Sequence, residues 1–467
     1  MRKWTGTILA SVLLLTSCAA QQLPEAIPTP TPTIAATATP APETTPAPEP
    51  TVAPIPTPRP VDGTVEEWIE KELRASFDYF WNESHSVEGA PGYGLTRDNT
   101  KDSADYASIA STGFALAGYA IGADRGYITR EEAEARALGT LQSFDAFETE
   151  DGFYYHFIHA NTGKPYDCEV STIDTALFLC GAIVAGEYFG GAVKEMAQKL
   201  YDKIDWTAIV KDNNRFYMAY NKDGNGGFNK VGEWDVAAEQ MVMYILSAGS
   251  DTHPTSGDLF YGFGRWAATY DGIEYIRSWS NSMFAYQFSH AFVDFRGTVD
   301  EKGVDWFANT RNAMLAGRAY AIKNTEGSRT YNQNAWGNSA CLGPKGYNGM
   351  YGVAPSGMPG GANLDANDGT IATYVALSAL PFCPEEAGDA MLYYAGFEKL
   401  WGDYGFTDSY NLDVSDEGWF CPYYIGIDKG VTLMMLANAQ DGFVWEWFMQ
   451  NENVQKGMAA CGIAAAE

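Results

Sequence analysis

Two kinds of helical segment alternate along most of this chain, and this alternation constrains the fold more than any other feature. One kind is amphipathic and charged on one side, as in TVEEWIEKELRASFDYFWN at 64–82. The other kind is rich in small residues and almost uncharged, as in DYASIASTGFALAGYAIG at 105–122. Helices that are apolar all round belong in an interior, whereas amphipathic helices form an outer layer. The pattern therefore predicts that outer and inner helices follow one another about six times.

The two kinds of segment can be located along the chain. The amphipathic segments lie at 64–82, 129–147, 192–204, 304–323 and 384–400. The uncharged segments lie at 105–122, 171–189, 236–249, 282–293, 369–380 and 428–440. Because strand signals are few and short, we predict an all-α domain, an (α/α)6 barrel with short β-hairpins in its loops. A solenoid of helix pairs is the alternative, but no fixed-period repeat supports it.

The N-terminus has the features of an export signal. Residues 1–18, MRKWTGTILASVLLLTSC, combine a basic start, an apolar run and small residues before a cysteine. This pattern is typical of a secretory signal peptide, and the apolar run is too short to span a bilayer stably. The LTSC ending resembles a bacterial lipobox, so we expect a lipoprotein signal peptide at 1–18 with lipidation of Cys18. A plain signal peptide that is cleaved elsewhere is the alternative.

A stretch rich in proline and threonine follows at 19–61. Such a composition cannot bury a core, and we interpret it as an extended, disordered linker. One large domain, at 62–467, follows the linker. The protein is therefore expected to be exported and lipid-anchored to the bacterial cell surface or the outer face of the membrane, with the anchor as its only contact with the membrane.

The charge of the chain restricts its partners. There are 30 lysines and arginines against 59 aspartates and glutamates, a formal net charge of −29. This balance argues against nucleic acid, anionic headgroups and acidic polysaccharides as partners. The aromatic content of 14% is compatible with stacking on neutral sugars. We expect a monomer whose partner is a neutral oligo- or polysaccharide.

The cysteines give no sign of a metal site. Six of them besides Cys18 are widely spaced, without a CxxC motif or a histidine at zinc-ligand spacing. An exported protein permits disulfides, but a domain of this size does not need them. We expect neither a metal nor a cofactor.

Acidic residues recur at the predicted starts of the inner helices. In a barrel these helices run parallel, so their N-termini gather at one rim. Dipole compensation explains acids at helix starts in general, but here the otherwise uncharged inner helices carry them too. We therefore predict an acidic, aromatic-lined central pocket. Its candidate residues are Asp98, Asp105, Glu169, Asp174, Asp235, Glu239, His290 with Asp294, Asp368 and Asp428.

The stretch DCEVSTIDTAL at 167–177 holds three of the carboxylates, those of Asp167, Glu169 and Asp174. It opens a long apolar helix, so Asp174 in the first turn is expected to point toward the interior. Burial and neighbouring charges shift the pKa of such a carboxyl, as proton transfer requires. The alternative is that Ser171 or Thr172 caps the helix and Asp174 only serves the helix dipole.

A second candidate acid lies in WDVAAEQMVMYIL, where Glu239 follows Asp235 by one predicted helical turn. A glutamate inside an apolar run is costly unless it is solvated or functional. Two carboxyl groups with separated pKa values are the minimum equipment for glycosidic hydrolysis, because one protonates the leaving oxygen and one activates water.

Three further groups could contact a sugar. In FSHAFVDFRG, His290 and Asp294 are spaced i, i+4, so they form either a catalytic pair or a structural hydrogen-bonded pair, with Arg296 beside them. Loop residues that could bind sugar hydroxyls are Arg97, Asp98 and Trp336.

Six motifs then follow the order of a known domain. They are SIASTGFALAGYAIGADRGYITREEA, CEVSTIDTALFLCGAIVAGEYF, FSHAFVDFRG, NAWGNSACLGPKGY, DGTIATYVALSALPF and GIDKGVTLMMLAN. From about residue 66 to 462 the chain resembles the bacterial glucoamylase-like domain, and within that group glycoside hydrolase family 144, the endo-β-1,2-glucanases. The resemblance implies an (α/α)6 barrel, no metal, and hydrolysis with inversion.

The resemblance also implies roles for residues. By motif position, Glu239 is the general acid, and Asp174 or Glu169 is the base that acts through water. The expected substrate contacts are Arg97, Asp98, Asp167, His290, Asp294, Arg296, Trp336, Asp368 and Asp428. The family usually has Tyr-Asn before the acid, whereas this chain has Ala237-Ala238.

The predicted function is that of a surface-anchored glycoside hydrolase that cleaves a neutral glucan, β-1,2-glucan in the first place. An exo-acting or other-linkage glycosidase of the same fold is one alternative. A non-catalytic carbohydrate-binding lipoprotein is the other alternative. The presence of all three expected pocket acids, Glu169, Asp174 and Glu239, argues against it.

Overall fold

The computed structural model of the protein describes residues 56–352 and 366–466. The predicted signal peptide, Cys18 and the linker up to residue 55 lie outside the described residues. Near the end of the predicted linker, the Arg59 amide donates to the Gly396 carbonyl over 2.9 Å, and the guanidinium pairs with Glu398. The chain therefore contacts the domain at Arg59, just before the predicted boundary.

Helices dominate the described residues, and we number them in chain order. They are α1 (Val65–Asn82), α2 (Ile109–Asp124), α3 (Arg130–Ala146), α4 (Thr172–Phe189), α5 (Gly191–Asp202), α6 (Met241–Gly249), α7 (Phe284–Phe292), α8 (Trp306–Lys323), α9 (Thr373–Ser378), α10 (Pro384–Ala395), α11 (Gly426–Gln440), α12 (Phe443–Met449) and α13 (Glu452–Ala460). The prediction of a helical domain is confirmed at this level.

Strands are short and lie in the loops. They are β1 (Thr96–Arg97), β2 (Tyr106–Ser108), β3 (Thr149–Glu150), β4 (Phe153–Tyr154), β5 (Phe157–His159), β6 (Val170–Ser171), β7 (Ala219–Lys222), β8 (Phe228–Val231), β9 (Trp266–Tyr270), β10 (Ile273–Arg277), β11 (Thr298–Val299), β12 (Cys341–Gly343), β13 (Gly346–Asn348), β14 (Ile371–Ala372), β15 (Trp401–Gly402), β16 (Gly405–Phe406), β17 (Ser409–Asn411), β18 (Trp419–Phe420) and β19 (Ala464–Ala465). They pair into two- and three-stranded antiparallel sheets.

Six of the helices are buried and contact one another in a closed sequence: α2, α4, α6, α7, α9 and α11. Helix α2 packs on α4 and on α11, α4 packs on α6, and α9 packs on α11. Hydrogen bonds join the other neighbours. Ser289 of α7 accepts from the Val242 amide of α6 over 3.0 Å, and Gln287 of α7 donates to the Val375 carbonyl of α9 over 2.8 Å. These are the segments that the sequence predicted to lie inside.

The other helices surround this ring. Helices α1, α3, α5, α8, α10 and α13 pack on α2, α2, α4, α7, α9 and α6 respectively. The sixth outer position, beside α6, is filled by α13 from far later in the chain, which the alternation pattern did not predict. Helix α12 contacts α2, α4, α7 and α11 and lies at the C-terminal ends of the inner helices.

Short strands set the starts of three inner helices. Strands β2, β6 and β14 run directly into α2, α4 and α9, and they pair with β5, β7 and β17 respectively. The last residue of β2, Ser108, and that of β6, Ser171, then cap α2 and α4 by accepting backbone amides. Because each strand is held by a partner, the first turn of its helix has a fixed position.

All six cysteines of the domain are free thiols, and five of them are buried. Helix α4 is the helix of the described residues that is long and apolar enough to cross a membrane, and 78% of it is buried inside the protein. Its apolar length therefore fits a core helix.

The closest helix contact joins α2 and α4 through glycines. A Cβ atom on Gly181 of α4 would overlap the carbonyl oxygen of Gly113 in α2, and a Cβ on Gly113 would overlap the backbone of Phe178. Both positions are therefore restricted to glycine by the approach of two backbones. By contrast, a Cβ on Gly118 of α2 would meet side chains alone, the tip of Leu433 at 3.1 Å and Phe80 at 3.8 Å.

We expect Gly181→Ala to lower the free energy of unfolding by about 3 kcal/mol or more, because rigid backbones must separate to admit the methyl group. The matched variant Gly118→Ala should change it by no more than about 1 kcal/mol, because a flexible side chain can move and alanine favours helix. Urea unfolding of both variants measures the difference, and equal losses would contradict this account of the contact.

Candidate active site

Acidic side chains from four loops and helix starts meet at the N-terminal rim of the inner helices. Asp174 lies in the first turn of α4, Asp428 lies in the first turn of α11, and Glu239 lies two residues before α6. The charge of Asp174 acts on both Glu239 and Asp98, and that of Asp98 acts on Asp428. The structure therefore brings together the predicted pocket acids Asp98, Glu169, Asp174, Glu239 and Asp428.

Backbone hydrogen bonds fix the loop of Asp98 to the start of α11. The Asp98 carbonyl accepts from the Gly426 amide over 2.6 Å, and the Asp98 amide donates to the Tyr106 carbonyl over 2.9 Å. Asn99 donates to the Asp98 carboxylate over 2.8 Å. Burial raises the pKa of Asp98, and the negative charges of Asp102 and Asp174 add to the shift.

A histidine lies between two of the acids. His156 Nδ1 is 2.8 Å from Glu169 Oε1, and His156 Nε2 is 3.6 Å from Asp174 Oδ1. Burial alone would lower the pKa of His156, but the negative charges of Asp174, Glu169 and Asp98 outweigh it and raise the pKa to about 9. His156 is therefore a cation at neutral pH.

The carboxyl groups of Glu169 and Glu239 respond to the rim in opposite directions. Burial favours the neutral acid of Glu169, but the hydrogen bond and charge of His156 outweigh it and lower its pKa. Burial raises the pKa of Glu239 to about 7, and the negative charge of Asp174 contributes to the shift. One rim thus holds an ionised carboxylate and a carboxyl that keeps its proton near neutral pH.

Glu239 lies in a turn before the helix. The predicted helix at 236–249 therefore starts too early, and Glu239 does not share a helical face with Asp235. The helix begins at Met241. The Glu239 carbonyl accepts from Ser289 Oγ over 2.6 Å, which ties the turn to α7. Because the helix begins only at Met241, the Glu239 side chain lies at the rim and not inside the apolar ring.

A second pair of carboxyl groups lies behind the rim. Asp408 and Asp428 are both buried and interact directly. Burial, then the neighbouring Asp408, raises the pKa of Asp428 well above its ordinary value. The Asp408 carboxylate accepts from the Leu342 amide over 2.6 Å. A buried Lys429–Glu72 ion pair lies next to them.

Two tyrosines supply exposed aromatic faces at the same rim. Tyr347, in the β12–β13 hairpin, is 45% exposed yet lies within range of the charges of Asp98, Asp408 and Asp428. Tyr423, just before α11, is 36% exposed, and its carbonyl accepts from the Asp408 amide. Large exposed rings beside polar groups are typical of sugar-binding clefts.

Three predicted contacts, His290, Asp294 and Arg296, lie at or just beyond the C-terminal end of α7, so the predicted placement of His290 and Asp294 at a helix start was wrong. His290 is in the last turn of α7, fully buried against Phe295, and burial lowers its pKa to about 3. Its Nε2 lies 2.9 Å from the Thr310 hydroxyl. Asp294 and Arg296 follow the helix and pair with each other at 2.8 Å. The error lay in reading the end of an inner helix as its start.

Three more predicted contacts have structural roles or lie away from the cluster. Trp336 is a fully buried core residue whose carbonyl accepts from the Tyr394 hydroxyl over 2.7 Å. Arg97 pairs with Glu83 at 3.0 Å and donates to two carbonyls of the following loop, so it supports the loop of Asp98. The side chain of Asp167 is 99% exposed beside Lys222.

Asp368 is exposed and accepts from the Tyr351 hydroxyl over 3.0 Å and from Thr370. These bonds hold the loop at the edge of residues 353–365, which are not described. Asp105, at the start of the β2 segment, pairs with His159 at 2.8 Å and does not interact with the rim acids described above.

Sequence reasoning missed His156, Asp408 and Tyr347. His156 lies in the YYHFIH segment, whose alternating pattern predicts only a short β-hairpin in a loop. The signal that could have found it is its position directly opposite Glu169, because its amide donates to the Glu169 carbonyl over 3.0 Å. That pairing is not readable from spacing along the chain.

Comparison with known proteins supports the family resemblance. A family model described as "Putative glucoamylase" matches residues 232–452. The predicted resemblance to the glucoamylase-like domain is confirmed by this match. A curated relative from Parabacteroides distasonis, named "Exo beta-1,2-glucooligosaccharide sophorohydrolase (non-reducing end)", is 26% identical over 438 residues. The alignment covers 85% of this chain and 58% of that protein, so the chain spans less than two thirds of the relative's length.

Solved structures share the fold. A Bacteroides uniformis protein, also described as a "putative glucoamylase", has a TM-score of 0.77 and is 26% identical, with 87% of this chain and 99% of the other covered. The endo-β-1,2-glucanase of Chitinophaga pinensis, solved with sophorotriose and glucose, has a TM-score of 0.75 at 23% identity, covering 86% and 99%. At that identity the second likeness shows the fold alone.

The pKa values of two histidines, His156 and His290, should be shifted in opposite directions. Between pH 5 and 8, ring-nitrogen NMR of the protein should show His156 charged and His290 neutral, because their pKa values are raised to about 9 and lowered to about 3. An ordinary histidine changes charge near pH 6.5. The variants His156→Gln and His290→Gln assign the signals, and a His156 midpoint near 6.5 would contradict the ion-paired site.

Proposed function

We propose that the protein is a glycoside hydrolase that cleaves β-1,2-linked glucan or its oligosaccharides by acid–base catalysis with inversion. The observation that carries the proposal is the pair of neighbouring carboxyl groups of Glu239 and Asp174 at one rim. Burial raises the pKa of Glu239 to about 7, so a large share of this carboxyl group keeps its proton near neutral pH, and Asp174 contacts a histidine cation. Glycosidic hydrolysis requires one carboxyl group to donate a proton and a second to activate water.

Glu239 is the proposed general acid. A general acid works best when its pKa lies near the working pH, and burial raises that of Glu239 to about 7. The bond from Ser289 to the Glu239 carbonyl fixes the backbone, which keeps the carboxyl group in one place. A fixed proton donor at the leaving oxygen is the larger part of what such an acid contributes.

Asp174 is the proposed base, and Glu169 is its structural neighbour. The charge of Asp174 acts directly on Glu239. Glu169 is bound to His156 through a 2.8 Å hydrogen bond, while the Asp174–His156 contact is longer, at 3.6 Å. The other oxygen of Asp174 accepts from the Ser171 hydroxyl over 2.5 Å. Because its charge acts on Glu239, we assign the role of orienting a water molecule to Asp174.

Three observations favour a neutral β-1,2-glucan as the substrate. The curated relative acts on β-1,2-glucooligosaccharides and is 26% identical over most of this chain. The exposed rings of Tyr347 and Tyr423 suit stacking on pyranose faces. The strongly negative protein, with a net charge of −29, repels acidic polysaccharides.

We infer the architecture and location that go with this function. The closed sequence of contacts among the inner helices, each covered from outside, supports an (α/α)6 barrel. The apolar run ending in LTSC and the following Pro/Thr-rich stretch support an exported lipoprotein anchored through Cys18, with the domain held away from the membrane by the linker.

Replacing the carboxyl group of either Glu239 or Asp174 should strongly lower kcat. On linear β-1,2-glucan, Glu239→Gln and Asp174→Asn should each lower kcat by about 10³-fold, because each removes one half of the acid–base pair. Glu169→Gln should lose less than about tenfold. Glu233→Gln, in the segment that leads to Glu239 but ion-paired to Arg215, is the matched control and should keep wild-type kcat.

Release of reducing sugar measures these rates, and NMR of the first product gives its anomeric form. Inversion predicts that the α-anomer appears first from a β-linkage. If the wild-type protein binds β-1,2-glucan but releases no sugar from any neutral glucan, the protein is a carbohydrate-binding lipoprotein and the hydrolase proposal fails. A rate loss in Glu169→Gln equal to that in Asp174→Asn would move the base to Glu169.

A further inference from the structure

We propose that His156 is a positioning residue for the reaction, holding the Asp174 carboxylate in an ion pair as a base distinct from the acid Glu239. This inference rests on the proposed function and deepens it, because it assigns the step that keeps the acid and the base distinct. Spacing along the chain did not predict a role for His156.

The ring of His156 is fixed on three sides. Nδ1 lies 2.8 Å from Glu169 Oε1, and Nε2 lies 3.6 Å from Asp174 Oδ1. The ring stacks on Phe157 with centroids 3.8 Å apart and an interplanar angle of 14°. A ring held in this way presents one N–H to each carboxylate and cannot rotate without losing both contacts.

The backbone of His156 is fixed as well. Its amide donates to the Glu169 carbonyl over 3.0 Å, and its carbonyl accepts from the Ile109 amide, at the start of α2, over 3.2 Å. The residue therefore joins the segment before α4 to the first turn of α2. This connection places the ring in the plane of the rim instead of on the outer surface of the hairpin.

The charge of His156 meets a specific need. Three carboxylates face it: Glu169 from the segment before α4, Asp174 from α4 and Asp98 from the loop before β2. In the described part of the chain, no lysine or arginine forms an ion pair with any of the three. The fourth titratable neighbour, the Cys168 thiol, is neutral because burial raises its pKa to about 12. The imidazolium is thus the countercharge that these three carboxylates share.

Removing this charge has a defined consequence for Asp174. Two or three carboxylates in a partly buried site without a cation cannot all stay ionised, so protons bind. If Asp174 binds a proton, or shares the proton of Glu239, the site loses its base. A purely structural histidine, by contrast, could be replaced by another hydrogen-bonding side chain without changing how the rate depends on pH.

The chain supplies a matched control in the same hairpin. His159 also pairs with an aspartate through Nδ1, at 2.8 Å from Asp105, and stacks on a ring, that of Tyr166. It differs from His156 in lying beside none of the acids assigned to catalysis. His159→Gln therefore reproduces the local loss of a histidine–carboxylate pair without touching the reaction.

The test is the pH dependence of kcat on linear β-1,2-glucan. His156→Gln should lower kcat at pH 7 by about 100-fold with KM changed less than about threefold, and should move the acidic limb of the profile to higher pH by about one unit. Glu169→Gln leaves the imidazolium to Asp174 alone, so its acidic limb should move to lower pH. His159→Gln should leave kcat and both limbs unchanged.

If the acidic limb moves to higher pH in His156→Gln and to lower pH in Glu169→Gln, the inference is supported. Loosening of the hairpin alone would move the acidic limb of both variants in the same direction. Wild-type kcat and an unmoved acidic limb in His156→Gln, in an active protein, would overturn it. If His156→Gln does not fold, the Glu169→Gln shift decides.

Failure of the proposed function gives a different result. If the wild type releases no sugar, the ring of His156 is followed by NMR in Asp174→Asn. The inference then requires its titration midpoint to fall by about one pH unit relative to wild type. An unchanged midpoint would overturn the pairing of His156 with Asp174.

Discussion

The contact of two helix backbones at Gly113 and Gly181 is the constraint on which the rim depends. Because α2 and α4 touch without intervening side chains, the loops at their starts also lie close together. His156 can then hydrogen-bond to the first residue of α2 and still face the first turn of α4. With side chains between these helices, the acids of the two starts would be separated by the width of a packed layer.

Electrostatics at the rim then follow from geometry. Several carboxyl groups share a partly buried site in which one histidine is the paired cation among the described residues. The hydrogen bond and charge of the cation lower the pKa of Glu169, whereas Glu239, which has no such partner, keeps a proton to a higher pH. The same folded arrangement thus produces a proton donor and a proton acceptor from chemically similar side chains.

Periodicity and composition were enough to predict the inner helices and the acids at their starts, because a helix that is apolar all round must be buried in the interior. The direction of each helix was harder. His290 lies in the last turn of α7 and Asp294 follows the helix, and spacing alone does not tell a helix end from a helix start. Trp336 looked like a loop contact, although the Tyr394 hydroxyl holds it in the core. His156 depends on pairing across a hairpin, which one sequence does not reveal.

The sixth outer helix has a consequence for how the chain reaches its native state. Helix α6 is covered by α13, and Asn453 of α13 donates to the Gly249 carbonyl at the end of α6. During synthesis, α6 leaves the ribosome long before α13 does, so the apolar surface that α13 covers is exposed in the meantime. Contacts of such sequence separation raise contact order and slow folding. A truncation that removes α13 would therefore leave an intermediate with an exposed apolar surface that is prone to self-association.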